Sequence, residues 1–244
     1  MKTTYELSLK LGGKDNSVFF GIPDKADELE KMFLLRREVY IKKCYINTES
    51  DKDEYDKNEK CVYFIAKIDD DVIGTVRLIL DSPLPTQKDC FDFQEPKEME
   101  EIPKNKRGEL SRLISVPYKE KIYLPRHLVL IFLISCVFKY SEENDIMGGY
   151  SFITTKLYDK MKRIMIPFHV IGKFQQKYSI NGPMYSYFSK KDNPILPIYY
   201  RSGEIKKYLE NLFGNKRMFE KISDNKFKLR NNLYNRFLRL LKII

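Results

Sequence analysis

Gly108-Glu-Leu-Ser-Arg-Leu-Ile-Ser-Val116 reads as a strand bound for a sheet interior, yet it carries Arg112 among its apolar residues. A second strand has the same feature. Val72-Ile-Gly-Thr-Val-Arg-Leu-Ile-Leu80 is apolar on both faces, which suits a central strand, and Arg77 sits within it. A third arginine, Arg36, lies in a helical stripe made by Leu29, Met32, Phe33, Leu35, Val39 and Tyr40. An unpaired guanidinium in such surroundings is very costly, so each arginine calls for a carboxylate partner. Asp51, Asp53 and Asp56 stand in a polar stretch without periodicity, Asn47 to Lys60, and Glu109 stands in the strand itself. The acidic stretch is therefore expected to fold back over the sheet and pair with the arginines.

Working outward, Tyr5–Lys10 alternates with period two and reads as a strand, and Val18–Ile22 reads as another, ended by Pro23-Asp24. Asp24 is placed to cap the helix that follows. Cys61–Ile68 and Val72–Leu80 form a hairpin around Asp69-Asp-Asp71, and Asp81 to Arg107 is a long charged excursion with several prolines. Pro125 opens a strongly apolar helix reaching about Tyr140, as proline favours a first helical turn. A βαβ-like unit follows, with strand 148–153, helix 155–164 and strand 168–172, and residues 178–188 supply one or two further strands. Strands alternating with helices indicate an α/β or α+β fold, a mixed twisted sheet flanked by helices. Residues 1–200 are expected to form the main domain and residues 201–244 a helical extension packed on it or appended to it.

The chain has 244 residues, 43% of them hydrophobic, enough for a real core and an enclosed cleft. The excess of 44 Lys+Arg over 34 Asp+Glu gives a formal charge of +10, a field that favours acidic partners. No zinc-finger or RNA-recognition signature accompanies it, so nucleic acid is not expected. Cys44, Cys61, Cys90 and Cys136 are too dispersed for a metal site or disulfide framework. The opening residues lack the apolar segment of a signal peptide, and the longest apolar run, Leu128–Phe138, is too short to span a bilayer. A cytoplasmic protein is expected.

Leu35-Arg-Arg-Glu-Val-Tyr40, Asp51-Lys-Asp-Glu-Tyr-Asp56, Gly74-Thr-Val-Arg-Leu78 and Glu109-Leu-Ser-Arg-Leu113 together resemble the signature blocks of acyl-homoserine-lactone synthases. They resemble still more their relatives, the N-acyl amino acid synthases. In that pattern Arg36, Asp53, Asp56, Arg77 and Arg112 match, Arg37 replaces a usual Tyr, and Asp51 replaces a Glu. The resemblance runs from about Val18 to Phe188. The chain has no Trp, a residue that homoserine-lactone synthases carry after the first helix, and Lys162–Tyr185 is similar to the corresponding stretch of N-acyl amino acid synthases.

The resemblance implies a GNAT fold and an N-acyltransferase that moves a fatty acyl group from acyl carrier protein to the amine of an amino acid or similar small amine. Its donor is the acyl-phosphopantetheine of the carrier, or acyl-CoA, with no permanently bound cofactor and no metal. In this family the charged cluster orders the region over the acceptor site, and the thioester enters like an extra strand beside 108–116. Glu109 is the candidate base, with pairing to Arg77 or Arg112 as its structural alternative. Lys119, Lys121 and Arg126, just before the apolar helix, are candidates for the phosphate, since a helix N-terminus binds phosphate well. Their segment lacks the glycines of the usual GNAT pyrophosphate loop. Leu128, Phe132, Phe152 and Phe168 are candidates for an acyl tunnel. His169 reads as a core histidine, and His127 as a neighbour of the phosphate.

Alternative readings are a homoserine-lactone synthase, a CoA-dependent N-acetyltransferase, or a basic membrane- or nucleic-acid-binding module on a GNAT-like core. From Asn225 to Ile244 the chain is basic and without acids, with Leu233, Phe237, Leu240, Leu241 and Ile244 on one helical face. Such a helix can lie at a membrane surface, receive an acidic carrier, or pack on the domain.

Overall fold

The computed structural model describes residues 1–11, 14–46, 50–57, 60–117 and 126–230. Strands β1 (Lys2–Leu11), β2 (Lys14–Ile22), β3 (Cys61–Ile68), β4 (Asp71–Ile79) and β6 (Arg107–Ser115) run antiparallel, each to the next, in that spatial order. β6 then pairs in parallel with β7 (Gly148–Thr154), and β10 (Ile195–Arg201) and β8 (His169–Val170) extend that side. At the other edge β12 (Lys226–Leu229) joins β1 in parallel, with β11 (Phe219–Lys221) outermost. β5 (Phe91–Phe93) and β9 (Phe174–Gln176) make a separate two-stranded sheet.

The sheet has a helix on each face. Helix α3 (Arg126–Glu143) packs on β2, β3, β4 and β6, and nearly every residue from Leu128 to Phe138 is buried. With α6 (Ser202–Phe213) it closes the main core, where Tyr5, Phe132, Phe213, Phe219 and Phe227 pack ring on ring. Helix α1 (Ala26–Lys42) lies over β4 and β6. Its buried residues are Glu28, Met32, Arg36 and Tyr40, four residues apart in one row, so Arg36 faces the sheet directly. Alternation along the strands does the rest: Val76 and Leu78 belong to the α3 core, and Arg77 between them points to the α1 side.

β6 is irregular where it matters. Val76 alone stands opposite Arg112 and Leu113, because the register shifts between Thr75↔Ile114 and Arg77↔Ser111. Arg112 takes a left-handed φ of 55° at this bulge, a conformation unusual for a side chain larger than glycine. Ser111 and Arg112 therefore both turn to the α1 face.

Several expectations are corrected. Asp24 does not cap α1; Lys25 holds that position without a side-chain cap, and Asp24 pairs with the Met1 amino group. The βαβ-like unit is interrupted, since β10 inserts antiparallel between β7 and β8. Residues 178–188 contribute no strand; Tyr185–Phe188 is a short helix, α5, after α2 (Lys97–Glu100) and α4 (Thr155–Arg163). The segment from 201 divides into helix α6 and strands β11 and β12, which enter the main sheet. Residues 226–229 are thus strand rather than amphipathic helix, and residues 231–244, with the apolar stripe, lie outside the described residues.

Candidate functional site

The acidic stretch folds onto the sheet beneath α1 and meets the three arginines. Arg36 donates from Nε to Asp51 Oδ2 at 2.6 Å and from Nη1 and Nη2 to the two Asp56 oxygens at 3.0 Å each. Arg77 grips Asp53 through Nη1 and Nη2 at 2.6 and 2.8 Å and reaches Asp56 at 2.8 Å, while its Nε donates to Ser111 Oγ. Arg112 donates from Nη2 to Asp53 Oδ2 and to the Asp51 carbonyl at 3.0 and 3.1 Å. Asp53 and Asp56 also close a capping box around the turn Glu54–Asp56, so the two carboxylates that shape the loop join Asp51 in neutralising the three arginines. Tyr63 donates to Asp56 at 2.7 Å. Burial opposes ionisation of Asp56, but the Arg36 and Arg77 guanidiniums hold its carboxyl well below the usual range. Arg77, also buried, stays firmly charged because Asp53 and Asp56 outweigh its loss of water.

Glu109 stands outside this network. It forms no ion pair with Arg77 or Arg112; Oε2 accepts the Thr86 amide at 2.7 Å and Oε1 is buried without a hydrogen-bond partner. Burial pushes its carboxyl up to about 8. Glu109 is also the last residue of β6 paired with β7, opposite Tyr150. Beyond it the two parallel strands separate, bridged by Ser151 Oγ donating to the Leu110 carbonyl. Behind it they are pressed together: a Cβ on Gly149 would lie 1.6 Å from the Gly108 oxygen, and Tyr200 donates to that same oxygen at 3.0 Å. One end of the strand pair is clamped and the other open, with a raised carboxyl at the fork.

The α1 face beside the fork carries a second apolar cluster: Tyr40, Ile46, Cys90, Phe91, Ile114, Met184, Phe188 and Ile195, with Phe152 packed against it. Of the four tunnel candidates, Phe152 alone lies here; Leu128, Phe132 and Phe168 belong to the α3 core. The excursion 81–106 brings Thr86 and Phe91 to the fork. Arg107 anchors it by bonding Glu95 and the Ile102 and Met99 carbonyls, and Tyr150 joins Glu95 at 2.6 Å. Sequence reading missed Thr86, Glu95 and Arg107, because a backbone amide and pairs within a charged loop leave no periodic signal.

Lys119 and Lys121 lie outside the described residues, and Arg126 is described only as the first residue of α3. His127 follows it, and burial depresses its imidazole to about 4, so it is neutral near pH 7. His169 is no core residue; it is half exposed, bonded to Glu204 at 2.7 Å and stacked on Tyr199. No group of side chains suited to a metal occurs among the described residues, and no helix there is long and apolar enough to cross a membrane.

Comparisons with known proteins bear on the fold and the family. No curated protein matches the chain in sequence. The homoserine-lactone synthase LasI has the same fold at 17% identity, covering 80% of this chain and 94% of its own, with a TM-score of 0.56. BjaI, a CoA-dependent homoserine-lactone synthase solved with SAM and isopentyl-CoA, aligns at 14% identity over 93% of this chain and all of its own, with a TM-score of 0.55. FeeM, an N-acyl amino acid synthase from uncultured soil microbes, aligns at 16% identity over 81% and 97%, with a TM-score of 0.54. The family model described as N-acyl amino acid synthase FeeM matches residues 31–167, from within α1 through the fork to the end of α4, which is more than half of the sequence. The chain therefore belongs to the N-acyl amino acid synthase family and is an N-acyltransferase of GNAT-like fold.

Proposed function

We propose that this enzyme transfers a fatty acyl group from the phosphopantetheine of acyl carrier protein to the amine of a free amino acid, at the fork between β6 and β7. The observation that carries the reading is the open side of that fork beside Glu109, where two parallel strands leave backbone groups unpaired with each other. A thioester laid there would extend the sheet, and an N–H of β6 would stabilise the oxyanion of its tetrahedral intermediate. Glu109, with its carboxyl near 8, takes the proton released as the nitrogen attacks, directly or through a water. The thiol of the carrier leaves. The ion-pair cluster of Arg36, Arg77 and Arg112 with Asp51, Asp53 and Asp56 fixes α1 and the acidic loop over the acceptor side.

The carrier is favoured over CoA because residues 116–125 contain no glycine with which to cradle a pyrophosphate. Lys119, Lys121 and Arg126 would meet the single phosphate of the arm. The missing Trp and the segment Lys162–Tyr185 favour an amino acid over SAM as acceptor. Residues 231–244, with Arg236, Arg239 and Lys242, supply a contact for an anionic membrane or the carrier, which deletion of that segment and binding to anionic vesicles would test. The central test incubates the purified enzyme with carrier-bound and CoA-bound acyl groups of equal length and a mixture of amino acids. Mass spectrometry should find acyl-amino acids, formed faster from the carrier. A faster reaction from CoA overturns the donor assignment, and products free of amino acid overturn the acceptor.

A further inference from the structure

The three buried arginines are not equivalent. Arg36 and Arg77 commit all three guanidinium nitrogens to oxygen acceptors. Arg112 commits only Nη2 in that way. Its Nε is buried without a hydrogen bond, 3.3 Å from Asp51 Oδ2, and its Nη1 donates to the sulfur of Met184 at 3.0 Å. A thioether is a weak acceptor, a poor match for a charged donor shielded from water. Arg112 is 7% exposed, so solvent does not make good the deficit.

The position of this underused donor has a direction. The bulge turns Arg112 to the α1 face, three residues past the point where β6 and β7 part. Tyr40 lies under its guanidinium at 5.3 Å, and Tyr40 and Met184 both belong to the apolar cluster beside the fork. Lys190, over the Tyr45 ring at 4.6 Å, adds a cation near the rim of the same cluster.

We propose that Arg112 is the specificity residue for the acceptor, its Nη1 binding the carboxylate of the amino acid in the place Met184 Sδ now holds. The inference rests on the amino-acid reading above and makes it more particular. A carboxylate held there ties down one end of the acceptor three residues from Glu109, leaving its amine to face the fork. A charge-assisted hydrogen bond replaces a contact with sulfur, and a simple amine lacks the group that earns that exchange.

The test takes the amino acid acylated fastest by the wild-type enzyme, with its methyl ester and its decarboxylated amine. The free acid should exceed both in kcat/KM by about 10- to 100-fold, mainly through KM, the range expected of one charge-assisted bond. Arg112→Gln should cut that preference by at least about tenfold. Since Arg112 also holds Asp53, a second variant guards against misfolding. Met184→Glu puts a carboxylate of the protein on Nη1, so it should melt no lower than wild type and still lose the preference for the acid. Equal use of acid, ester and amine by the wild type overturns the proposal while leaving acyl transfer intact. So does an acid preference that survives both substitutions. Absence of any acyl-amine product overturns this proposal and the parent reading together.

Discussion

At the scale of single residues, pairing separates side chains that hold the site from the one suited to proton transfer. Arg77 and Asp53 are joined by two short bonds, so Arg77→Ala leaves the buried carboxylate of Asp56 and the partly exposed one of Asp53 each short of a partner. Breaking a buried pair on one side costs about 3–5 kcal/mol, which chemical denaturation should report together with loss of acyl-amine products. Glu109 behaves in the opposite sense. Its folded value near 8 lies above the ordinary carboxylate value of 4.5, so the folded state binds the proton more tightly. The stability linked to this proton is complete below about pH 4 and is lost as pH rises through about 8. Glu109→Gln should therefore flatten the decline in stability between those limits. The same substitution should remove the limb of the kcat/KM profile that rises with a midpoint near 8; a mutant profile that keeps this limb assigns the base elsewhere.

At the scale of elements, what could be read depended on whether a residue broke its local pattern. Arg36, Arg77 and Arg112 were legible because a charge within an apolar stripe demands an explanation, and the acidic stretch was the nearest explanation available. The pairing is observed, though Glu109 proved to be no part of it. β10 escaped notice because Ile195–Arg201 contains a proline and follows a polar turn, so the sequence gives no clean alternation. Residues 178–188, rich in Tyr and Phe, have strand-like composition but serve as a cover, with Tyr178 stacked on Phe188 at 4.3 Å. The closeness of β6 and β7 was invisible too, because glycine at 149 says nothing of what lies opposite. The structure makes it testable. Gly149→Ala forces a Cβ against the Gly108 carbonyl, backbone that cannot swing aside, so β7 must move. The expected loss of stability is at or above the upper end of the ~1–3 kcal/mol typical of overpacking. Acyl transfer should fall further than this loss explains, since the angle of the fork changes; full activity at a temperature where the variant stays folded would count against the fork as the site.

At the scale of the whole molecule, the first strand and the last described one meet at one side of the sheet. β12 lies in parallel against β1, and Phe219, Phe227 and Leu229 are buried against the α3 core with Phe132 at its centre. A boundary near residue 200 therefore divides the sequence without dividing the sheet. Phe132 sits on α3, whose other turns press on β4 and β6, the strands that carry Arg77, Glu109 and Arg112. The tail thus supports these strands from the face opposite to α1, where the proposed site lies. Ending the chain after Gly214 would remove Met218, Phe219, Phe227 and Leu229, four buried side chains worth about 1.5–3 kcal/mol each. That total rivals the 5–15 kcal/mol by which a typical domain is stable, and it strips the partner from β1. The shortened chain should fail to show cooperative unfolding by calorimetry and should form no acyl-amine. A truncated protein that melts cooperatively and keeps its activity would establish residues 1–214 as the self-sufficient unit and reduce the terminal strands to an accessory of the sheet edge.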